Sequence, residues 1–520
     1  MNRTKIILTL FVLIFLLNSN ILIAQNTFLD STFNSSGKVL LSIGNSIDYV
    51  TGIDIQSDGK IIAAGNSVNG TDNDFAVARF NTNGSLDNSF GNLGINTATF
   101  GISNDNCSSI KIQNDGKIIL VGTSEIGNIQ HFALIRYSTT GIVDSSFGNN
   151  GKVLTAIADT TSFANKIIIQ NDGKIVIAGY SASNIGGYHD FAMIRYHNNG
   201  SIDSSFGING IVTTDINSSY DNAQTLAIQT DGKLLLAGGA SNGVDYDLAV
   251  VRYNTDGSLD LSFGVGGKQI TPVGNHNDSP NSIAVQNDGK ILLAGGTYNG
   301  TDYDYLIVRY NSNGNLDTTF GNNGIVIHPI GNSNEISSSI LVQNDGKIIL
   351  GGYTFTDTAI CHFALSRYNN TGNLDSTFGD NGIIISNFGY DNEVIYSIAF
   401  QNDGKIIAGG SSGNVNNNDF AVARYKSSYT LGIANYKYGS DNFHFSPNPF
   451  NIQTNLKLSF CPKNATLIAF NDQGQVVKTI LGINKTNISF TRGILKPGNY
   501  YIKLYENNQL LLTDKITINN

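Results

Sequence analysis

The chain has 520 residues, of which 40% are hydrophobic and 14% charged, and its formal net charge at pH 7 is −9. A protein that binds the nucleic-acid backbone needs a basic face, and this acidic chain has no cluster of lysines and arginines to form one. Its three cysteines (Cys107, Cys361 and Cys461) lie far apart and provide neither a disulfide framework nor a CxxC metal pair. The 57 glycines, together with many β-branched residues, asparagines and aspartates, indicate an all-β protein rich in turns.

Residues 1–24 have the pattern of a secretory signal peptide. Arg3 and Lys5 precede the apolar run Ile6–Leu17, and the small residue Ala24 ends the segment. The apolar run is too short to cross a bilayer, although a retained membrane anchor is the alternative. No later stretch is long and apolar enough to be a transmembrane segment of the mature chain.

A five-residue motif, QNDGK or a close variant, organises most of the remaining chain. Successive copies begin about 57 residues apart. The seven copies are Gln56–Lys60, Gln113–Lys117, Gln170–Lys174, Gln229–Lys233, Gln286–Lys290, Gln343–Lys347 and Gln401–Lys405. A fixed period of this length is typical of architectures in which each unit packs against its neighbours.

Each repeat unit predicts four short strands in up-and-down order. In the second unit, LDNSFG (Leu86–Gly91) is followed by an alternating strand that ends at Gln113, the turn Asn114–Gly116 and a second strand, Lys117–Gly122. The last strand of the unit is His131–Tyr137. Four strands match one propeller blade, and seven blades make a closed ring. We therefore expect a seven-bladed β-propeller over residues 25–425, with a solenoid or an open array as the alternative.

The two ends of the repeat region are complementary. We expect the LDxxF motif to form the outer strand of each blade. The chain enters with Leu29–Phe33, a complete copy of this motif, and leaves after Tyr425 without another copy. Pairing the N-terminal copy with the last blade would close the ring and remove both open sheet edges. We predict that Leu29–Phe33 belongs to the blade of Gln401–Tyr425.

The repeat motifs resemble a known family. The motifs LDxSFG, QxDGKI, AGG and DFAxxRYNxxGxLD, as they stand in Gly200–Phe206, Gln286–Gly296 and Asp247–Asp260, are similar to the delta-60 repeat of bacterial secreted and surface proteins. The resemblance covers about residues 28–425. It implies a propeller-like fold and brings no assigned activity. The first copy departs from the family pattern at Asn34, where glycine is usual.

Residues 426–441 break the period and predict a linker, and residues 442–520 predict a second, small β domain. Alternating strands are predicted at Leu456–Phe460, Thr466–Phe470, Val476–Ile480 and Tyr500–Tyr505. A segment of this length and pattern suggests a β-sandwich.

The same segment resembles the C-terminal sorting domain of the type IX secretion system. The matching pieces are Phe445–Phe450, Ile468–Ile480, Leu495–Gln509 and Lys515–Ile518. The resemblance implies that residues 442–520 have the secretion machinery as a partner and are removed near the linker. It also implies a Bacteroidota-type host, in which the mature protein is secreted or attached to the outer cell surface.

Four polar positions recur in every unit and predict a framework role. They are the aspartate of the LDxxF motif (the LD aspartate), the aspartate of the hairpin turn, the lysine that follows this turn and the arginine of the last strand. Examples are Asp87, Asp115, Lys117 and Arg79. A catalytic set occurs once in a protein, whereas these residues occur in all seven units. We expect the hairpin aspartate to cap its own turn, and the arginine to pair with an LD aspartate and with exposed carbonyls.

Sequence variation is concentrated on one predicted rim. The connections between blades and the connections between second and third strands lie on the same rim of an up-and-down propeller. Both vary in sequence on an otherwise constant scaffold, and such variable loops are the usual place for binding. The candidate ligand-binding residues there are Tyr188, His189, Tyr246, Tyr298, Tyr303, Tyr353 and Phe355. Their rings could stack on sugars, or they could pack the loops against their own blades. The absence of tryptophan weakens the sugar hypothesis.

A carboxylate precedes the motif glutamine by eight residues in six of the seven units. These acids are Asp48, Asp105, Asp221, Asp278, Glu335 and Glu393, and the third unit has Ser162 instead. If the strands that carry them line the channel, the carboxylates surround one mouth, so we add Asp221, Asp278, Glu335 and Glu393 to the candidate ligand-binding residues. Oxygen ligands suit Ca²⁺ or Mg²⁺. We expect no cofactor, with a bound Ca²⁺ as the alternative. The alternative is that the carboxylates are solvated turn caps.

The sequence contains no HExxH, GxSxG or phosphate-loop motif, and its seven histidines do not cluster. We expect a secreted, surface-displayed module that binds a glycan or a protein. The alternatives are a hydrolase or lyase that acts on extracellular polysaccharide through paired acids, and a structural surface protein without a small ligand. An unmatched acidic pair in a deep pocket of one or two blades would favour the enzyme, and an aromatic-lined rim would favour binding.

Overall fold

The computed structural model describes residues 28–44, 47–70, 72–101, 104–158, 161–182, 187–331, 333–355, 360–414, 417–426, 443–471, 476–506 and 509–519. The predicted leader, and all but the first residue of the predicted linker, lie outside these ranges. Two compact units divide the chain, Met1–Ser428 and Tyr429–Asn520. All regular structure among the described residues is β.

In the described part of the first unit, the chain forms seven blades, each an antiparallel sheet of four strands, and the predicted fold class is confirmed. The first strands are Asp48–Ile55, Asp105–Ile112, Thr161–Ile169, Asp221–Ile228, Asp278–Val285, Glu335–Val342 and Asn392–Phe400. The second strands are Ile61–Asn69, Ile118–Ile126, Ile175–Ala182, Leu234–Ser241, Ile291–Tyr298, Ile348–Phe355 and Ile406–Asn414. The third strands are Asp72–Phe80, Ile129–Tyr137, Asp190–Tyr196, Tyr246–Tyr253, Tyr303–Tyr310, Cys361–Tyr368 and Asn417–Tyr425. The fourth strands are Ile95–Ala98, Lys152–Thr155, Ile211–Thr214, Lys268–Thr271, Ile325–His328, Ile383–Ser386 and, for the seventh blade, Lys38–Leu41.

The first strands surround the central axis, because each packs between the first strands of two neighbouring blades. The fourth strands lie at the outer edge, where each pairs with a third strand. Every first strand also carries a β-bulge, such as the one between Val50 and Gly52. A bulge changes which face a side chain points to, so it decides which residues of these strands face the channel.

Apolar packing between blades forms the core. In the first blade, every residue of Ile61–Ser67 and Asp74–Phe80 is buried, since neighbouring blades cover both faces of these strands. One core cluster combines Ile62 of the first blade with Cys107 and Leu120 of the second. Full burial of one such large side chain contributes about 1.5–3 kcal/mol, so the junctions between blades supply much of the stability.

A buried ion pair recurs in all seven blades. In at least six of them its arginine also donates to a backbone carbonyl of the next blade. In the first blade, Arg79 Nε donates to Asp87 Oδ2 at 2.8 Å, and Lys60 Nζ donates to the same oxygen at 2.7 Å. The guanidinium lies 4.6 Å from the centroid of the Phe90 ring. Its Nη1 donates to the carbonyl oxygen of Thr139, in the second blade, at 2.6 Å. The predicted pairing of the arginine with an LD aspartate and an exposed carbonyl is confirmed.

The turns show the expected chemistry. Asp115 Oδ1 accepts the backbone N–H of Lys117 at 3.1 Å, which confirms the predicted cap of the hairpin. Gly91, at the end of LDNSFG, has a φ of 52°, in the left-handed region that favours glycine. Asn34 takes the equivalent place in the N-terminal copy with a φ of 47°. Asparagine tolerates this region better than most residues, so the departure from the family pattern keeps the same backbone conformation.

The N-terminal segment completes the seventh blade, as predicted. Leu29 forms an isolated bridge with Tyr425. Lys38–Leu41 then pairs antiparallel with Phe420–Ala423 as the fourth strand. The ring is therefore closed by a sheet that combines both ends of the repeat region.

One detail of the predicted blade was wrong, because the LDxxF motif is a turn and not the outer strand. In the first blade, Leu86 makes only a bridge with Phe80. Asp87 Oδ1 then accepts the N–H and the hydroxyl of Ser89, at 3.1 and 2.7 Å, which reverses the chain. The outer strand, Ile95–Ala98, follows this turn.

The second unit is a small β-sandwich. Its first sheet contains the strands Phe443–Ser446, Gln453–Leu458 and Asn487–Thr491. Its second sheet contains Val476–Ile483, Ala465–Phe470, Gly498–Glu506 and Gln509–Ile518. One shared core includes Phe450, Leu456, Phe490 and Ile502. None of the described residues of the chain forms a helix that is long and apolar enough to cross a membrane.

Candidate functional site

The two kinds of variable connection meet at each junction between blades, on the rim where the first strands begin. At the junction between the third and fourth blades, the N–H of Asp221 donates to the carbonyl oxygen of His189 at 2.7 Å. Asp221 begins the first strand of the fourth blade, whereas His189 precedes the third strand of the third blade. A ligand that contacts this rim would therefore meet residues of two blades at once.

The six predicted acids are buried, which corrects the alternative interpretation that they are solvated turn caps. The exposed fraction is 1% for Asp278 and 0% for Asp48, Asp105, Asp221, Glu335 and Glu393. Each carboxylate accepts a backbone N–H from the residue five positions earlier, such as that of Val273 to Asp278 Oδ2 at 2.8 Å. The acids are buried caps of the connections between blades, and ligand binding by them stays a prediction.

Several of these acids face a second carboxylate, which comes from the third strand of the preceding blade. Burial raises the pKa of Asp278, and the neighbouring charges of Asp247 and Asp245 raise it further. Burial likewise raises the pKa of Glu335, with a further contribution from Asp304. Two buried carboxyl groups that face each other cannot both ionise without a large cost unless a proton or a cation lies between them.

Two junctions replace the aspartate of the third strand by histidine, and at one of them the opposite acid is also absent. Between the sixth and seventh blades, His362 Nδ1 lies 3.1 Å from Glu393 Oε2, so the histidine partners the carboxylate. Between the second and third blades, His131 takes the aspartate's place and Ser162 replaces the acid. At both junctions the histidine therefore removes one carboxylate of the facing pair.

The junction between the third and fourth blades carries a third carboxylate. One oxygen each of Asp190, Asp215 and Asp221 lies within 4.8 Å of the others. Burial, with the added charges of Asp215 and Asp190, raises the pKa of Asp221 to about 6. Asp215 directly follows the fourth strand of the third blade, and the equivalent residues of the other blades are Ser42, Thr99, Ala156, Pro272, Pro329 and Asn387. No other blade has an acid at this position.

A chain of aromatic rings lies at the same junction. Tyr188 and Tyr220 contact edge to face with centroids 5.1 Å apart, and their exposed fractions are 57% and 36%. His189 is 5.2 Å from Tyr220 and stacks on Tyr180 at 4.9 Å. The ring of Tyr180 in turn lies 5.1 Å from that of Phe163 on the first strand of the third blade. We name the set Tyr188, His189, Tyr220, Asp190, Asp215 and Asp221 the rim patch.

The other predicted aromatic residues are partly buried and do not join the rim patch. Tyr298 and Tyr303 contact each other within the fifth blade, with centroids 5.2 Å apart. Tyr353 and Phe355 contact each other within the sixth blade at 5.9 Å. Tyr246 lies on the fourth blade and is also partly buried. These residues pack largely against their own blades, which was the alternative interpretation of the pattern.

Sequence reasoning missed three residues of the rim patch. Asp190 belongs to the repeat, so its residue type gives no signal of its own. Tyr220 lies in a variable connection that has no recognisable pattern. Asp215 is different, since alignment of the seven repeats identifies it as the one acid at its position.

Comparison with family models finds similarity to a β-propeller repeat family. Seven segments match the model described as a domain of unknown function (DUF5122) beta-propeller. The matched residues are 56–90, 113–147, 170–206, 229–263, 286–320, 343–378 and 401–428. The matches recur once per blade and support a propeller repeat family.

Solved structures with a similar fold have low sequence identity. One is PorZ, an essential bacterial surface component of the type-IX secretion system of Porphyromonas gingivalis, with 11% identity and a TM-score of 0.42. That similarity covers 90% of this chain but only 59% of PorZ. Virginiamycin B lyase from Staphylococcus aureus has 12% identity and a TM-score of 0.44, over 74% of this chain and 98% of the lyase. A PL25 ulvan lyase has 14% identity and a TM-score of 0.41, over 74% and 96%.

At these values the similarities carry no argument about activity or partners. The comparison with curated proteins found no match.

Proposed function

We propose that this protein is exported to the outer cell surface and that its propeller binds an extracellular glycan at the rim patch. The observation that carries the proposal is the exposed edge-to-face pair of Tyr188 and Tyr220, which stands on a rigid junction between two blades. No other pair of aromatic rings that we describe has both members exposed on the variable rim.

The chemistry of the rim patch suits a sugar. The apolar C–H face of a sugar ring packs well on an aromatic face, and the surrounding carboxylates and amides can accept or donate hydrogen bonds to its hydroxyl groups. His189 supports this arrangement, because its Nδ1 is 2.9 Å from Asn222 Oδ1 and its ring stacks on Tyr180. The rings are thus held in place before a ligand arrives, which reduces the entropy lost on binding.

Export is proposed to depend on the C-terminal unit. Its support is the resemblance of that segment to type IX sorting domains. The unit is also compact in its own right, with Phe445 and Phe450 of the matching FSPNPF segment buried in its core. A separate folded unit after a linker suits a signal that is recognised by secretion machinery and then removed.

A glycan array probed with the full chain tests the binding function. For a glycan that binds, we expect Tyr188→Ala and Tyr220→Ala each to weaken affinity at least ten-fold in calorimetry. The matched control is Tyr390→Ala, because Tyr390 is 43% exposed on the connection between the sixth and seventh blades. Absence of any bound glycan, or equal losses in the control, would contradict the proposal.

Deletion of residues 443–520 tests the export function. We expect the truncated protein to accumulate inside the cell envelope, while the full chain is accessible to protease at the cell surface. A variant with the core substitution Phe490→Ala would show whether the folded state of the unit matters for the signal. Surface exposure of the truncated protein would refute this part of the proposal.

A further inference from the structure

We propose that Asp190, Asp215 and Asp221 bind one divalent cation of the calcium class at the junction between the third and fourth blades. One oxygen of each residue lies within 4.8 Å of the others. Oxygens at this spacing can share one ion at metal–oxygen distances of about 2.3–2.6 Å, which is the range of Ca²⁺. This inference stands apart from glycan binding, because the ion alone tests it.

Asp221 is the buried anchor of the proposed site. Its side chain has an exposed fraction of 0%, and its Oδ2 accepts the N–H of Ile216 at 2.7 Å. Its Oδ1 is buried and has no hydrogen-bond partner among the described residues. A buried carboxylate oxygen without a donor, beside two further carboxylates, is the environment in which a cation replaces the missing donors.

Asp190 differs from its equivalents in other blades. In the fourth and fifth blades, an asparagine of the adjacent loop donates to the equivalent aspartate, Asn242 to Asp247 at 3.1 Å and Asn299 to Asp304 at 3.0 Å. Within the described residues, no such donor reaches the carboxylate of Asp190. Its oxygens are therefore available to a ligand that comes from outside the protein.

Asp215 completes the set from the exposed side. Its Oδ1 accepts the N–H of Ser218 at 2.6 Å, and its Oδ2 accepts the Ser218 hydroxyl at 3.3 Å. These bonds hold the carboxylate in one orientation and leave lone pairs for a metal ion. Since Asp215 is exposed, water can reach the ion and fill the coordination positions that the protein does not supply.

Within the part of the chain that the structure describes, no salt bridge neutralises the three acids, although the charge of a protonated His189 would act on Asp190. Lys268 is near, but its Nζ donates to the backbone carbonyl of Asp215 at 2.6 Å. The ring of His189 is occupied by Asn222 and Tyr180. At the junction of the sixth and seventh blades a histidine provides the partner of the buried acid, and here a bound cation would do so.

The repeat architecture provides an internal comparison. The buried oxygens Oδ1 of Asp105 and Asp278 also lack a donor, so this feature alone does not distinguish the proposed site. At those junctions the position of Asp215 holds Thr99 and Pro272, and among the described residues no three carboxylate oxygens there lie within 4.8 Å of one another. The third carboxylate is what makes the junction of the third and fourth blades a stronger oxygen site than the others.

Calcium binding to the full chain tests the proposal. We expect calorimetry to show one Ca²⁺ per chain, and Tb³⁺ in its place to luminesce when tyrosine is excited, because Tyr188 and Tyr220 lie in the same rim patch. Asp215→Asn should weaken Ca²⁺ at least ten-fold and should abolish the luminescence. The control Asp247→Asn removes a carboxylate from the junction that lacks the third acid, and it should bind Ca²⁺ like the unaltered protein.

Each other outcome overturns the assignment. A chain that binds no Ca²⁺ would show that the three acids retain a proton in place of a metal. Equal loss in Asp215→Asn and Asp247→Asn, or no loss in either, would place the ion elsewhere. Binding of Mg²⁺ as tight as that of Ca²⁺ would contradict the calcium class. If Ca²⁺ binds and no glycan does, the proposed function fails while this inference survives.

Discussion

Closure of the ring can be tested with Phe33→Ala. Phe33 has an exposed fraction of 0%, and its ring lies 4.8 Å from the guanidinium of Arg424. Loss of a buried phenylalanine side chain costs about 3–5 kcal/mol, part of which is the cation–π contact in this desolvated position. We expect a value in the upper half of that range, because the neighbouring core residues come from the seventh and first blades and both lose a contact.

The assay is urea unfolding of the full chain, followed for the propeller transition, together with hydrogen exchange. Phe206→Ala is the matched control, since Phe206 is equally buried and lies 4.4 Å from Arg195. Both substitutions should cost a similar free energy of unfolding. Only Phe33→Ala should speed exchange in Asn417–Tyr425, the third strand of the seventh blade.

Two results would refute this reasoning. A loss below about 1 kcal/mol for Phe33→Ala would show that the N-terminal copy is not part of the core. Unchanged exchange in Asn417–Tyr425 would show that the seventh blade does not depend on its N-terminal strand.

Three further predictions concern the charges between blades. Arg252→Ala should lower the free energy of unfolding, measured by urea titration, by about 3 kcal/mol, because it removes the buried ion pair in which Arg252 Nε and Asp260 Oδ2 are 2.8 Å apart. A loss near zero would contradict the framework role of the arginine. Burial opposes a low pKa for Asp30, but hydrogen bonds from Thr32 and Lys405 lower this pKa to about 2. The ionised Asp30 therefore stabilises the folded state above the ordinary aspartate pKa of about 3.9, and this contribution is lost as the pH falls towards 2. The melting temperature should therefore fall between about pH 4 and pH 2, and a rise over that interval would reverse the sign we assign. Asp304→His should place a histidine opposite Glu335, as His362 lies opposite Glu393, and should raise the melting temperature at neutral pH. A lower melting temperature would show that histidine does not relieve the repulsion between the two carboxylates.

The blades could be predicted because local chemistry determines them. The turn at Asp115 and Gly116, flanked by alternating apolar residues, defines a hairpin without help from the rest of the chain. Seven copies then leave few arrangements that bury both faces of the second and third strands. The unmatched LDxxF copy at Leu29–Phe33 was sufficient to predict which end closes the ring.

The outer strand could not be predicted for a physical reason. Ile95–Ala98 has four residues and pairs on one side only, so its sequence is weakly constrained. Leu86–Phe90 is more regular and looked like the strand. Its regularity comes from the turn at Asp87 and the buried ring of Phe90, both of which every blade requires.

The rim patch depends on geometry that the sequence does not display. The sequence predicted Asp221 at the start of a first strand, but neither the bulge between Ala223 and Thr225 nor the packing that buries Asp221 can be read from it. Asp190 and Asp215 lie 25 residues apart in sequence and meet only because the fourth strand returns beside the third. The aromatic candidates were found as residue types, but their exposure depends on packing within each blade.

The closing contact also sets an order of events during biosynthesis. Arg424 donates to the hydroxyl of Thr32 across a separation of 392 residues. At about 5–20 residues per second, a ribosome needs roughly 20–80 s to synthesise that interval. Throughout this time Lys38–Leu41 has no partner strand, and an unpaired strand of this kind invites aggregation. The last blade can therefore form only after Asn417–Tyr425 has been synthesised, when the C-terminal unit is next to be made.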